Sequence, residues 1–475
     1  MKISKILLFV LWATSPLLAQ NKPKNVLFIL VDDFGYKDLG CYGSTFYETP
    51  NIDKLAKSGT RYTNAYAACP VCSPSRAAIM TGKYPARMQT TDWFGAPQPD
   101  NVQNHWTKDR PLLPAPYNEY LDPKEITIAE ALKEKGYATF IAGKWHLGDK
   151  EAFYPENQGF DINKGGFMKG SPPSYFSPYS NPKLPDGPVG EYLPYRLAEE
   201  TNKFIEAHKD KPFFVYMSYY LVHNPLQPID SLMRKYEAKR LKMNLKDDFA
   251  NEGNGKVRII QSHAKYAAMV EALDISVGRI LKKLEDLGLD KNTVVIFTSD
   301  NGGLSTAEGS PTSNLPLRGG KGWMYEGGIR EPMIIRDPTI KQVAVSNEIV
   351  TGTDMYPTIL SLVNQKMTAQ KIDGINISAT LKGEKLPKRA VFWHYPHYGN
   401  QGGTPSGAVR QGDWKLVQNF EKGTFELYNL KNDISEQKNE LSNFPKIANK
   451  LKAVLLDWQK EVGAKFPTPN PNAKK

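Results

Sequence analysis

Two apolar runs in the 475-residue sequence end abruptly in side-chain oxygens. Asn25 to Val31 leads into Asp32-Asp33-Phe34-Gly35, and Thr293 to Thr298 leads into Ser299-Asp300-Asn301-Gly302-Gly303. Adjacent carboxylates at the tip of a buried strand are costly unless a cation sits among them. Singly, each pair reads as a helix N-cap or an Asx turn. Together, Asp32, Asp33, Asp300 and Asn301 make an all-oxygen ligand set that suits Ca²⁺ or Mg²⁺ better than Zn²⁺. Between the two runs lies Cys72-Ser73-Pro74-Ser75-Arg76, followed by Thr81-Gly82. A cysteine on a proline-bounded turn that opens a helix, one turn from Arg76, has a depressed pKa if it is exposed. From the residues alone it is a nucleophilic thiol, an inert buried thiol or a modification site. Of the seven histidines, His146 and His223 fall just beyond apolar strands. His394 and His397, in an aromatic-rich stretch, and His105, in a Pro- and Trp-rich excursion, are candidates for touching a substrate. A packed aromatic corner is the other reading of His394 and His397.

The run from Cys72 to Gly82, C-x-P-S-R-x-x-x-x-T-G, resembles the signature of the type I sulfatases of the alkaline phosphatase superfamily, whose cysteine is oxidised to Cα-formylglycine. Further matches follow in the family's order: Asp32 to Gly35, Gly143 to Gly148, His223 to Pro225, Asp300 to Gly302, Gly319 to Gly322, Glu326 to Arg330, Asp373-Gly374, and Glu426 to Leu430 with Glu436. The resemblance implies that residue 72, as an aldehyde hydrate, attacks sulfur and then expels sulfate by C–O cleavage. It implies that Asp32, Asp33, Asp300 and Asn301, with an oxygen of residue 72, hold Ca²⁺, and that Asp300 can also accept the attacking hydroxyl's proton. Three carboxylates and one Ca²⁺ still repel an anionic ester, and Arg76, Lys144 and Lys321 supply the missing positive charge. In the family pattern Arg76 and Lys144 hold the hydrate and Lys321 contacts the sulfate. His223, with help from Lys321, protonates the leaving oxygen, and His146 deprotonates the second hydroxyl. Two other functions fit less well. A phosphate mono- or diester hydrolase of the same superfamily carries Ser or Thr in place of Cys72, and a non-catalytic glycan-binding homologue has no need of every matched position.

These residues need a scaffold that brings distant strand ends to one edge. Continuous apolar strands at Asn25 to Val31, Tyr137 to Ala142, Pro212 to Tyr219 and Thr293 to Thr298 alternate with helix-period segments such as Thr127 to Lys135 and Ala264 to Leu284. That pattern predicts an α/β fold: a large, mostly parallel mixed sheet sandwiched by helices, with ligands at the carboxyl ends of the strands. From about residue 366 alternating segments and an amphipathic helix bearing Ile447, Leu451, Leu455 and Trp458 predict a smaller α+β subdomain with an antiparallel sheet. The expected division is a signal peptide over 1–19, a catalytic domain over 20–365 and a subdomain over 366–475. Lys2 and Lys5, the apolar run Ile6 to Trp12 and Ala19 have the form of a secretory leader, so the protein is expected to be exported, in the periplasm or secreted, without integral membrane association. A net charge of +11 with no basic stripe favours an anionic substrate over nucleic acid. The expected partners are therefore a sulfated carbohydrate, read by loops such as Asp92 to Pro123, and the enzyme that generates formylglycine. Three cysteines exclude a disulfide framework; conversion of Cys72 leaves Cys41 and Cys69 as a possible bridge.

Overall fold

The computed structural model describes residues 23–253 and 255–474; the expected leader lies outside them. An eight-stranded sheet comprises β1 (Asn25–Val31), β2 (Thr60–Tyr66), β3 (Ala138–Gly143), β4 (Ile162–Lys164), β5 (Phe213–Ser218), β6 (Thr293–Ser299), β7 (Met333–Arg336) and β8 (Val345–Thr351). Their spatial order is β8-β2-β7-β6-β1-β5-β3-β4. Only β7 runs against its neighbours, and the other pairings are parallel. β1, β5 and β6 are buried along their whole length, as a strand covered on both faces must be. Alternation splits β1 between two cores. Leu27, Ile29 and Val31 join the core that includes residues of helices Leu193–Ala207, α1 (Pro50–Ser58) and α3 (Ala264–Asp286), while Val26, Phe28 and Leu30 join the one under α2 (Cys72–Thr81), Ile128–Lys133 and Met355–Leu362.

One helix start depends on a residue far away in sequence. The N-cap of α1, Thr49, makes no side-chain cap bond. Instead Asp274 of α3, fully buried, accepts from the backbone N–H of Asn51 at 3.1 Å and of Ile52 at 2.8 Å. A carboxylate at a helix N-terminus satisfies otherwise orphaned donors. Asp274→Ala is expected to lower stability by about 2 kcal/mol, measured as a shift in the denaturant midpoint.

The second unit is an antiparallel sheet of β9 (Ala390–Tyr395), β10 (Ser406–Gln411), β11 (Trp414–Asn419) and β12 (Thr424–Asn429), with α4 (Pro445–Glu461) on one face. The opposite face packs Trp393, Val417 and Tyr428 against Tyr66, Cys69 and Ile329 of the larger unit. At that junction the ammonium of Lys415, wholly buried, lies 3.0 Å from Glu326 and 2.8 Å from Glu436. All three cysteines are free, so the Cys41–Cys69 bridge is not formed. Cys41 lies beside Asp53 of α1 and is partly exposed, whereas Cys69 is buried in the junction.

Candidate active site

Sheet register sets the level at which the chemistry gathers. Val31 is level with Ser299, Leu30 with Ser218, and Gly143 with Ser218. Asp32, Asp300 and Lys144 therefore leave neighbouring strands within one residue of a common height, at the carboxyl edge where open α/β sheets bind ligands. Asp33 adopts a left-handed conformation, φ 57°. The conformation is held by its N–H donating to Asp300 Oδ1 at 3.2 Å and by Asn301 Nδ2 donating to its Oδ1 at 2.9 Å. Carboxylate oxygens of Asp32, Asp33 and Asp300 come within 4.8 Å of one another, all buried.

Three cations balance these acids. Lys144 Nζ donates to both oxygens of Asp32, at 2.9 and 2.7 Å. Arg76 Nε donates to Asp300 at 2.7 Å, and Lys321 Nζ to Asp33 at 2.8 Å. Charge governs the protonation of the group. Burial, together with the charges of Asp300 and Asp33, pushes the Asp32 carboxyl up despite Lys144. For Asp33 the upward effect of burial is overcome by Lys321, His223 and Lys144, which hold it well below the usual range. Two atoms in the cluster have no hydrogen-bond partner: Asn301 Oδ1 and Arg76 Nη2. An unpaired buried acceptor beside three carboxylates suits a hard cation, and Arg76 Nη2, 3.6 Å from Asp32 Oδ1, keeps a donor free for an anion.

Cys72 opens α2 next to this cluster, and the whole helix is buried. Its side chain is not the exposed thiolate that a turn position allows. At 4% exposure, burial pushes the thiol up, against the smaller lowering by Lys144 and Lys321. His146 Nδ1 is 3.4 Å from the sulfur. Burial, reinforced by Lys144 and Arg76, keeps this imidazole neutral. His223 Nε2 lies 3.6 Å from Asp33 Oδ2; burial and Lys321 lower it to about 4, against the opposing pull of Asp33. Cys72, Arg76, Lys144, His146, His223, Lys321, Asp300, Asp32, Asp33 and Asn301 thus form one connected group.

The three other candidate histidines do not join it. His394 is 4% exposed, its Nε2 lies 2.7 Å from the Lys465 carbonyl, and its ring packs against Phe420 and Phe466. His397, 1% exposed, meets Thr91 Oγ1 at 2.9 Å and the Tyr117 and Tyr395 rings. Of the two readings of these residues, the contacts are those of the packed aromatic corner. His105 only follows the short turn Val102–Asn104, and among the described residues its side chain makes no hydrogen bond to the cluster. Sequence reading missed two contributors. Ser218 accepts from Arg76 Nη1 at 2.7 Å and orients it; as the polar last residue of an apolar strand, it carries the same signal as Asp32 and Asp300. Phe94, from the Asp92 to Pro123 excursion, sets its ring 6.3 Å from that of His146, and no local pattern marks it.

A model of the family described as Sulfatase matches residues 24–365, and one described as the C-terminal region of N-sulphoglucosamine sulphohydrolase matches 320–461. The chain is 32% identical to a sulfatase of Formosa agariphila, covering 100% of this chain and 98% of that protein. It is 33% identical to human N-acetylgalactosamine-6-sulfatase, over 78% of this chain and 68% of that one. The solved structure of Ps i-CgsB in complex with k-i-k-neocarrahexaose superposes with a TM-score of 0.76 at 28% identity, covering 95% of each chain.

Proposed function

The chain belongs to the sulfatase family and is a sulfatase, and from that premise we propose that it removes sulfate from sulfated carbohydrate outside the cytoplasm, with residue 72 converted to Cα-formylglycine and Ca²⁺ held by Asp32, Asp33, Asp300 and Asn301. One observation carries the reading. Acids, bases and two histidines from separate strand ends and loops surround a cysteine at the first position of a buried helix. The carbohydrate class is supported by the names of the relatives, one a sulfatase of N-acetylgalactosamine and one solved with a neocarrahexaose. Export is supported by the leader-like residues Met1 to Ala19.

The donor set fits a hard divalent ion: every candidate ligand offers oxygen, and Asn301 Oδ1 has no other partner. Such an ion polarises a sulfate oxygen and lowers the pKa of a neighbouring hydroxyl. The hydrated aldehyde supplies one hydroxyl to attack sulfur and a second whose deprotonation expels sulfate. The chain's own side chains do the rest. Arg76, steered by Ser218 and Asp300, and Lys144, steered by Asp32, orient the hydroxyls of residue 72. Lys321 neutralises the ester oxygens as negative charge moves onto them. Neutral His146, within reach of residue 72, takes the proton of the second hydroxyl. Burial and Lys321 hold His223 low; an anionic ester between His223 and Lys321 shields that charge and favours the protonated form that the departing oxygen needs.

Sulfate release from defined sulfated mono- and oligosaccharides tests the reading, with mass spectrometry of the peptide containing residue 72 to establish that the sample is mature. A mature sample that preferred phosphate esters would overturn it. Lys321→Ala is expected to lower kcat/KM by roughly 10²- to 10³-fold, read by ion chromatography of released sulfate.

A further inference from the structure

Just past Lys321 the surface opens into a groove of ≈ 450 Å³. One wall is the hairpin Phe249–Glu252 and Gly255–Arg258, anchored where the Arg258 N–H donates to the Ser305 carbonyl at 2.9 Å. The facing wall is the 398–404 turn, and Trp323 lies between them, its indole N–H donating to the Gln401 carbonyl at 2.7 Å. The turn is drawn tight against the Lys321 segment: a Cβ at Gly403 would meet the Gly322 carbonyl at 1.8 Å. Glu308 ties the groove to the catalytic group. It accepts from Gln401 at 2.9 Å and from Asn224, the residue after His223, at 3.3 Å. The groove therefore adjoins the side of the site where His223 stands.

Its charges are unevenly spoken for. Each carboxylate in the lining has an internal partner: Glu252 pairs with Arg318 at 3.1 Å, Glu421 accepts from the Tyr398 hydroxyl, and Glu426 accepts from the hydroxyls of Tyr325 and Tyr428 at 2.7 and 2.9 Å. Three cations in the lining, Arg110, Lys256 and Lys422, have no carboxylate partner among the described residues. Arg110 is held over the Tyr398 ring, 5.4 Å from its centroid. Four cations, Arg110, Lys256, Arg318 and Lys422, against three carboxylates, Glu252, Glu421 and Glu426, leave the lining with an excess of positive charge that attracts an anion.

We propose that this groove binds the sugar adjoining the one that bears the scissile sulfate, and that this second sugar is itself anionic, a sulfated hexose or a uronic acid. The position of this subsite rests on the sulfatase reading; its preference for charge rests on the unmatched cations alone. The natural substrate is then an oligosaccharide or polymer.

The test compares one sulfated hexose alone with disaccharides in which its neighbour is neutral, sulfated or a uronic acid. The mature wild-type enzyme is expected to show kcat/KM at least roughly tenfold higher for a charged neighbour than for a neutral one, carried by KM and weakened by salt. Arg110→Gln/Lys256→Gln is expected to bring that ratio near one. The sulfated and uronic acid arms identify which anion is read. Equal handling of charged and neutral neighbours by the wild type, or an undiminished preference in the double variant, would overturn the proposal. If no sulfate ester is turned over, the sulfatase reading fails separately. Calorimetry on Cys72→Ala then decides the groove: tighter binding of the charged disaccharides that is lost with Arg110 and Lys256 upholds it, and indifference to charge rejects it.

Discussion

Cys72→Ser and Cys72→Ala are expected to end multiple turnover, lowering kcat by on the order of 10³-fold or more, while far-UV circular dichroism and the melting curve stay close to the parent's. The serine variant is the sharper of the two. Its single hydroxyl can attack sulfur once, but it lacks the geminal partner that lets the bond to oxygen break from the carbon side, so sulfate is trapped on the protein. Intact-mass measurement after incubation with substrate should find one sulfate per chain in Cys72→Ser and none in Cys72→Ala. Steady turnover by either variant would remove residue 72 from the chemistry. Exchanging sulfur for oxygen changes little volume at this buried position, only 4% exposed, which keeps the comparison about chemistry rather than folding.

Removal of divalent cations is expected to be nearly as damaging. Dialysis against a chelator should cut sulfate release by at least roughly 10²-fold, with Ca²⁺ restoring it. A second readout does not depend on turnover. Binding to the folded state alone adds stability of about 4 kcal/mol at a thousandfold excess over Kd, so Ca²⁺ should raise the melting temperature of the stripped protein. In Asp32→Asn and Asp300→Asn that rise should shrink or vanish. The physical reason lies in the three carboxylates gathered within 4.8 Å, whose mutual repulsion Lys144, Arg76 and Lys321 offset without supplying anything to Asn301 Oδ1. A chelated sample that kept full activity and an unchanged melting curve would reject the metal.

Much of this was legible in the sequence because the information was local. An apolar strand that stops in Asp32-Asp33 or Asp300-Asn301 announces both its burial and its functional end, and register brings those ends level. The helix read at Thr127 to Lys135 begins with a capping box between Thr127 and Glu130, each side chain bonding the other's backbone, a signature that lies within four residues. What stayed hidden depends on partners far apart in the chain. Asp274 caps a helix more than two hundred residues earlier, at Asn51 and Ile52. Nothing near Lys415 foretells that it will lie between Glu326 and Glu436. His394 and His397 carry two readings for the same reason: an aromatic-rich stretch looks alike whether its rings face a ligand or, as with Phe420, Phe466 and Tyr117, one another.

The ammonium of Lys415 has a bearing on a residue it never touches, Lys321. Glu326 stands five residues from Lys321 and is held by two cations, Arg330 at 3.5 Å and Lys415 at 3.0 Å, while Glu436 has Lys415 at 2.8 Å. Loss of the Lys415 ammonium from the folded protein would leave Glu436 unpaired beside Glu326 in a dry interior, at a cost of several kcal/mol, so the segment that carries Lys321 leans on the docked β11. A change in the outer sheet can therefore disturb the cation beside Asp33 without touching any residue of the catalytic group.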